Sequence, residues 1–192
     1  MKHLVKKLTS VFLCISLVLI AANTTAFAAI AGVNMSAGSP RTVICENGNV
    51  WSWGNSYLGD GTTNSSMTPV KATGIGYAVS AFSGSNHTVA LIDDGSVYAW
   101  GSNIYNQIAD GTTTNRPSTT LVNGLSGITK IAVGFNHTLA IKNNGTLYAF
   151  GYNYYGALGD GTTTIRSTPV QVLGLTDVKA IAANFARCAS GS

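Results

Sequence analysis

A chain of 192 residues with Lys+Arg 11 against Asp+Glu 7 carries a formal net charge of +4, and 9% of its residues are charged. The excess is N-terminal: Lys2, Lys6 and Lys7 precede residue 29 and no acid does, so residues 29–192 hold 8 basic against 7 acidic side chains, a net +1. That near-neutral body, rich in Gly, Thr, Ser and Asn, excludes the broad basic face that nucleic-acid binding uses.

The chain opens with "MKHLVKK", an apolar run from Leu8 to Ala22, and the small-x-small site Ala26-Phe27-Ala28. A basic stretch, an apolar stretch and such a site predict a secretory signal peptide over 1–28, cut before Ala29. The apolar run is shorter than the roughly 20 residues that span a bilayer, so no stable membrane insertion is expected after cleavage. The expected localisation is secreted or cell surface. Cys14 leaves with the signal, and Cys45 and Cys188 remain, each as well suited to a buried thiol as to a disulfide.

Residues 29–192 repeat themselves. "GSNHTVALIDDGSVYAWG" from Gly84 returns as "GFNHTLAIKNNGTLYAFG" from Gly134, and "YAWGSNIYNQIADGTTTNR" from Tyr98 as "YAFGYNYYGALGDGTTTIR" from Tyr148. A worn first copy, "GSPRTVICENGNVWSWGNSYLGDGTTN", starts at Gly38. Aligned with Arg41 at the position of His87 and His137, it lacks one residue before Glu46 and three between Gly54 and Asp60. Arg187 takes the same position in a last, interrupted copy. The expected units are repeats at about 32–80, 81–130 and 131–180, with a partial fourth at 181–192.

Each copy reads as short strands. Asn47-Gly48, Asp94-Gly95 and Asn144-Gly145 separate apolar runs, the signature of a two-residue hairpin turn whose residues need positive φ. Third strands are expected at 68–72, 119–123 and 168–172, and fourth strands at 128–134 and 177–183. Four short strands per copy without helical period predict an all-β fold: about three four-stranded antiparallel blades of a β-propeller, an incomplete ring. A blade cannot bury both of its faces alone, so neighbours must stack.

The motifs Gly-x-x-His-Thr-x-Ala, Asp-Gly-x-Val-Tyr-Ala-Trp-Gly and Gly-Asp-Gly-Thr, as they stand in "GSNHTVAL", "DDGSVYAWG" and "YNYYGALGDGTTT", resemble the repeat of the regulator of chromosome condensation family. The resemblance covers essentially the whole of 29–192. It implies a closed ring of about seven blades, against three and a fraction here. Either the sequence stops short of the ring, or copies self-associate through open blade faces. Asn106 and Ala109 depart from the family's glycines, which stand at Gly156 and Gly159.

The polar residues that invite a chemical reading recur once per copy, which argues for structure. Asp60, Asp110 and Asp160 precede Gly-Thr, where a carboxylate closes an Asx-type turn. His87 and His137 are expected to be hydrogen-bonded within their own blades. Trp53, Trp100 and Phe150 are expected to pack between blades. The Asn-x-Ser/Thr matches at Asn23, Asn64, Asn86, Asn136 and Asn144 are no more than such a composition produces by chance. No catalytic residue, cofactor site or metal site is expected. Recognition is expected where the copies differ on loops held by a rigid sheet: Ser102 and Ile104 become Tyr152 and Tyr154, and Tyr57 sits in the shortened first corner. Asn103/Asn153 and Tyr105/Tyr155 are expected to be framework.

The leading functional reading is a secreted non-enzymatic scaffold binding a protein partner of unknown identity through Tyr57, Ile104, Tyr152 and Tyr154. The alternatives are the exchange-factor or chromatin-associated role of the family's namesake, and a non-catalytic module of a larger exported cell-wall or carbohydrate-active enzyme.

Overall fold

The computed structural model describes residues 35–36 and 39–183. The expected signal peptide, Arg187, Cys188 and most of the partial fourth repeat lie outside them. Blade 1 comprises β1 (Met35–Ser36), β2 (Arg41–Ile44), β3 (Val50–Gly54) and β4 (Ser66–Lys71). Blade 2 comprises β5 (Ala78–Ser83), β6 (His87–Ile92), β7 (Val97–Gly101) and β8 (Arg116–Leu121). Blade 3 comprises β9 (Ile128–Val133), β10 (His137–Lys142), β11 (Leu147–Gly151) and β12 (Arg166–Gln171). Within each blade every strand pairs antiparallel with its neighbour in sequence, so each blade is a four-stranded meander. No helix among the described residues is long and apolar enough to cross a membrane.

Strand pairing corrects the reading of the first copy. Arg41 faces Trp53 as Thr88 faces Trp100 and Thr138 faces Phe150. Arg41 therefore holds the threonine position, and Pro40 stands where His87 and His137 stand. No residue is missing before Glu46, because each hairpin turns on the same bond: Cys45 N to Asn49 O, Ile92 N to Ser96 O and Lys142 N to Thr146 O. The shortening is confined to the corner between Gly54 and Asp60. Sequence matching slid one residue because Gly38, Ser39, Thr42 and Val43 match Gly84, Ser85, Thr88 and Val89 when Arg41 is set on His87.

Blade limits also differ from repeat limits. The boundaries at 80/81 and 130/131 fall inside β5 and β9, because the strand that closes a sequence repeat opens the next sheet. The last strands begin at Ser66, Arg116 and Arg166, earlier than expected, since Gly54, Gly101 and Gly151 pair with those residues across a bulge. Segment 177–183 is not a strand. Its counterparts β5 and β9 pair with the strand that follows them, and here that stretch lies beyond the described residues.

Packing explains the aromatic expectation. Across each bulge one third-strand residue, respectively Trp53, Trp100 and Phe150, lies opposite three residues of the last strand, which carries the extra length. Trp100 is fully buried among Ile44, Val50 and Ala72 of blade 1. Phe150 is fully buried among Val89, Val97, Ile108 and Val122 of blade 2. Trp53 is only half-buried, with no described blade against it.

Backbone bonds lock the same junctions. Ala78 N donates to Gly48 O at 3.1 Å, Ile128 N to Gly95 O at 3.1 Å and Val178 N to Gly145 O at 3.0 Å, each joining the start of one blade to the hairpin turn of the last. At Gly145 (φ +81) a Cβ would stand 2.8 Å from Asp177 Cα, so glycine is required there twice over, for conformation and for approach. Cys45 is disulfide-bonded, which decides between the two options the sequence left open; its partner lies outside the described residues.

Candidate functional site

Meander topology puts the three long corners (β3–β4, β7–β8, β11–β12) at one end of the sheets, beside the β5–β6 and β9–β10 turns. The tight hairpins lie at the other end. Every residue expected to recognise a partner is therefore on the corner face.

Each corner is braced from inside. Asp60, Asp110 and Asp160 accept from the backbone N–H of Thr62, Thr112 and Thr162 at 2.9, 2.9 and 3.0 Å, and from the hydroxyls of the same threonines. This is the turn expected of them, shown by its bonds. In blades 2 and 3, Arg116 and Arg166 Nε donate to the second carboxylate oxygen at 2.6 Å. Blade 1 has Ser66 at that register position, so Asp60 has no such guanidinium. Burial would raise the Asp110 carboxyl, but hydrogen bonds from Thr112 and Arg116 outweigh it and hold it below the usual range. At Asp160 burial is likewise outweighed, by Arg166, Thr162 and Asn153, and the carboxyl falls to about 2. An acid so fully committed as an acceptor is neither a proton donor at neutral pH nor a base with a free lone pair.

Asn103 and Asn153 are framework as expected. Both are fully buried, and each carbonyl oxygen accepts from the N–H of the buried Ile108 or Leu158 at 2.9 Å. Their amides donate to Asp110 and Asp160 at 3.1 Å. The first two corners also grip the next blade: Gly61 N donates to Pro117 O and Gly111 N to Ser167 O. Gly156 and Gly159 adopt positive φ, and Asn106 (φ 59) and Ala109 (φ 54) adopt it too without being glycine. The blade-2 corner thus keeps the shape of the blade-3 corner at a conformational cost.

On this frame stand the exposed side chains. Tyr152 sits edge-on to Tyr105 of the preceding blade at 5.2 Å, and contacts Tyr154 at 5.0 Å and Tyr155 at 6.4 Å. Tyr154 and Tyr155 are 63% and 64% exposed. The structure brings Tyr152 and Tyr154 together, as a patch across the blade 2–3 junction. Ile104 is exposed beside Tyr105 on the same loop. Tyr57 stands apart on the blade-1 corner, in a left-handed conformation (φ 66), its hydroxyl accepting from Asn115 Nδ2 of blade 2 at 3.2 Å. Sequence reasoning missed Tyr105 and Tyr155, reading them as framework because both copies have them. The available signal was an aromatic side chain on a corner loop, set aside because both copies carry it.

The histidines depart from expectation. His87 is fully buried and neither ring nitrogen has a hydrogen-bond partner among the described residues. The ring lies on Gly84, where a Cβ would come within 2.2 Å of His87 Cε1, and His137 lies likewise on Gly134. Burial first, and then the charge of His137, push the His87 imidazole down to about 3. Burial also lowers His137. They are packing elements, with glycine making room for each ring. Among the described residues no three His, Cys, Asp or Glu side chains gather as a metal site.

Stacked four-stranded meanders with aromatic knobs between them and a polar, loop-borne face define a β-propeller repeat protein. The model of the regulator of chromosome condensation (RCC1) repeat matches residues 47–91, 94–141 and 144–191, and a second model of that repeat matches 78–107 and 128–157. The chain belongs to the RCC1 repeat family. It is 37% identical over 81 residues to human protein RCC2, covering 40% of this chain and 16% of RCC2. It is also 37% identical over 81 residues to the X-linked retinitis pigmentosa GTPase regulator homolog of Caenorhabditis elegans, covering 39% of this chain and 6% of the relative. The chain thus spans a small part of the length of the curated relatives it matches. Among solved structures, human WBSCR16 superposes with a TM-score of 0.69 at 23% identity, covering 81% of this chain and 44% of its own. Prp20p of Saccharomyces cerevisiae superposes with a TM-score of 0.66 at 25% identity, covering 79% and 37%.

Proposed function

We propose that this chain is a non-enzymatic, protein-binding scaffold, exported to the cell surface or beyond, whose recognition surface is the corner face. The observation that carries the reading is the patch of Tyr105, Tyr152, Tyr154 and Tyr155, drawn from two blades and held on braced corners. Tyrosine offers large amphipathic contact area with few rotatable bonds, and rigid aromatic anchors dominate protein interfaces. Protein binding is described for one relative: Prp20p is characterised by its binding to Gsp1p and histones. Export is supported by the sequence "MKHLVKK", its apolar run and Ala26-Phe27-Ala28.

The exchange-factor and chromatin readings have less support, since the body of the chain is close to neutral and a chromatin surface calls for a basic one. The commitment of each corner carboxylate to its own turn supports a scaffold over a catalyst. A photo-crosslinking residue at Tyr154, in protein secreted by its own cells, should capture one discrete protein adduct. Tyr152→Ser should abolish that adduct. The same probe at Tyr77, on the hairpin face, should not yield it. Equal labelling from both positions, or none from Tyr154, would sink the proposal.

A further inference from the structure

Three Asn-Gly pairs lie among the described residues: Asn47-Gly48, Asn123-Gly124 and Asn144-Gly145. A glycine after asparagine has no Cβ to shield its amide nitrogen, which can then approach the asparagine's own side-chain carbonyl. The fold treats the three pairs differently. Two of them are closed. They turn the β2–β3 and β10–β11 hairpins, where Gly48 N donates to Cys45 O at 2.8 Å and Gly145 N to Lys142 O at 2.9 Å. The side-chain oxygens of Asn47 and Asn144 accept from Asn49 N at 3.2 Å and Thr146 N at 3.1 Å. Both glycines are buried, Gly48 against Tyr77 and Gly145 against Asp177.

The third pair is open. Asn123 and Gly124 lie between β8 and β9, both exposed, and a Cβ on Gly124 (φ +84) would meet nothing within 4 Å. Among the described residues, neither the Asn123 side chain nor the Gly124 N–H has a hydrogen bond. The equivalent turns of the other blades are pinned. Thr73 N donates to Gly59 O at 3.0 Å and Leu173 N to Gly159 O at 2.9 Å, whereas Asn123 N makes no backbone bond to Ala109. Thr119 Oγ1 also donates to Thr73 O at 2.6 Å. By strand register its counterpart in blade 3 is Pro169, which has no hydroxyl to offer Asn123 O.

We propose that Asn123 is a self-modification site, where the chain converts its own side-chain amide to a carboxylate. Gly124 N attacks Asn123 Cγ, and the new C–N bond closes a succinimide ring. The side-chain nitrogen leaves as ammonia, taking the proton that Gly124 N gives up. Water then adds to either ring carbonyl and breaks its bond to the ring nitrogen, leaving aspartate or isoaspartate. Nothing is oxidised or reduced, and solvent water is the sole co-reactant. Each event adds one acid, so residues 29–192 pass from 8 basic against 7 acidic side chains to 8 against 8. The β8–β9 connection carries none of the corner-face tyrosines, so this site stands apart from the protein-binding reading.

Incubating the purified full chain in oxygen-labelled water at mildly alkaline pH, both folded and in denaturant, tests this. Each hydrolysed succinimide keeps one solvent oxygen, so peptide mapping by mass spectrometry locates the reaction. In the folded chain, label should enter the Asn123 peptide first, with ammonia released in step. The Asn47 and Asn144 peptides should lag by about tenfold or more, since each glycine must first break its N–H bond and leave its packing. In denaturant all three should react at comparable rates. Asn123→Gln should remove the early ammonia while leaving the β-sheet circular dichroism unchanged. Reaction at Asn47 or Asn144 as fast as at Asn123 in the folded chain would overturn the proposal. So would a folded Asn123 that keeps its amide for as long as the denatured chain needs to react at all three.

Discussion

The two junctions between blades have one geometry and different interiors. At the first, Thr42 Oγ1 lies 2.6 Å from Ser83 Oγ, which lies 3.0 Å from Thr88 Oγ1, forming a buried chain of hydroxyls across the blades. At the second, strand register places Val89, Val133 and Thr138 in those three positions. Two hydroxyls have become methyls, and Thr138 Oγ1 is left buried with no partner. The knob changes as well, from Trp100, whose buried Nε1 has no partner, to Phe150, which has no such group. The two junctions thus strand different polar groups, Trp100 Nε1 at the first and Thr138 Oγ1 at the second. A junction tolerates polar or apolar filling provided the set is complete, and the cost appears where a set is mixed.

The largest effect should come from the knobs. Phe150→Ala and Trp100→Ala should each lower unfolding free energy by about 3–5 kcal/mol, as truncations of fully buried aromatics do. Trp53→Ala should cost far less in dilute solution, because Trp53 has no described blade against it. Denaturant melts at low protein concentration make the comparison, and equal losses at Trp53 and Phe150 would deny that junctions hold the arc together. Trp100→Phe should be close to neutral, since it removes an orphaned N–H and reproduces the second junction.

The next effect is acid sensitivity. His87 is neutral in the folded state and its imidazole is lowered from 6.5 to about 3, so below pH 6.5 the unfolded chain binds the extra proton. Stability should therefore fall as pH drops from about 6.5 towards 3. His87→Gln should flatten that loss, whereas His137→Gln, in the more open of the two sites, should remove less of it. The lowered carboxyls of Asp110 and Asp160 add a separate loss below the usual carboxylate range. Thermal melts across the pH series separate the two windows. A wild type equally stable at pH 7 and pH 4.5 would contradict the buried, unpartnered histidine.

The smallest effect should come from the threonines. Thr138→Val should stabilise by about 1 kcal/mol by deleting an unpaired buried hydroxyl of the same shape. Thr88→Val should destabilise by a similar amount, because it leaves the Thr42–Ser83 pair without its third member. The signs are opposite at equivalent positions of two blades, and a shared sign would show that the hydroxyl chain does not govern the first junction.

The blades, their order and the aromatic packing were legible in the sequence because strand alternation, Asn-Gly or Asp-Gly turns and a bulky residue before glycine survive in each copy. The Asp-Gly-Thr corner was legible for the same reason. The sequence was misleading where identity and spatial role part company. Tyr105 and Tyr155 are alike in both copies and yet exposed, while Arg41 looked like a histidine substitute until strand pairing shifted it by one. Gly84, which makes room for the His87 ring, stands in the histidine's own motif, but the burial that leaves the ring without a partner comes from packing and is not legible there. The Tyr152 patch is likewise a product of stacking, since Tyr105 reaches it from a different sheet.

The bond from the first strand of each blade to the hairpin glycine of the one before has a kinetic consequence. Ala78 and Ile128 belong to strands held on both sides, by their own sheet and by a neighbour's turn, so their amides can exchange with solvent only when two blades part together. Val178 is held on one side among the described residues. A stack joined this way frays from its margins inward, and the slowest-exchanging protons should lie at the middle of the chain rather than in any one strand that looks best packed. Solvent would then read out the chain's length from blade edge to blade edge, with residues around 128 as the last to yield.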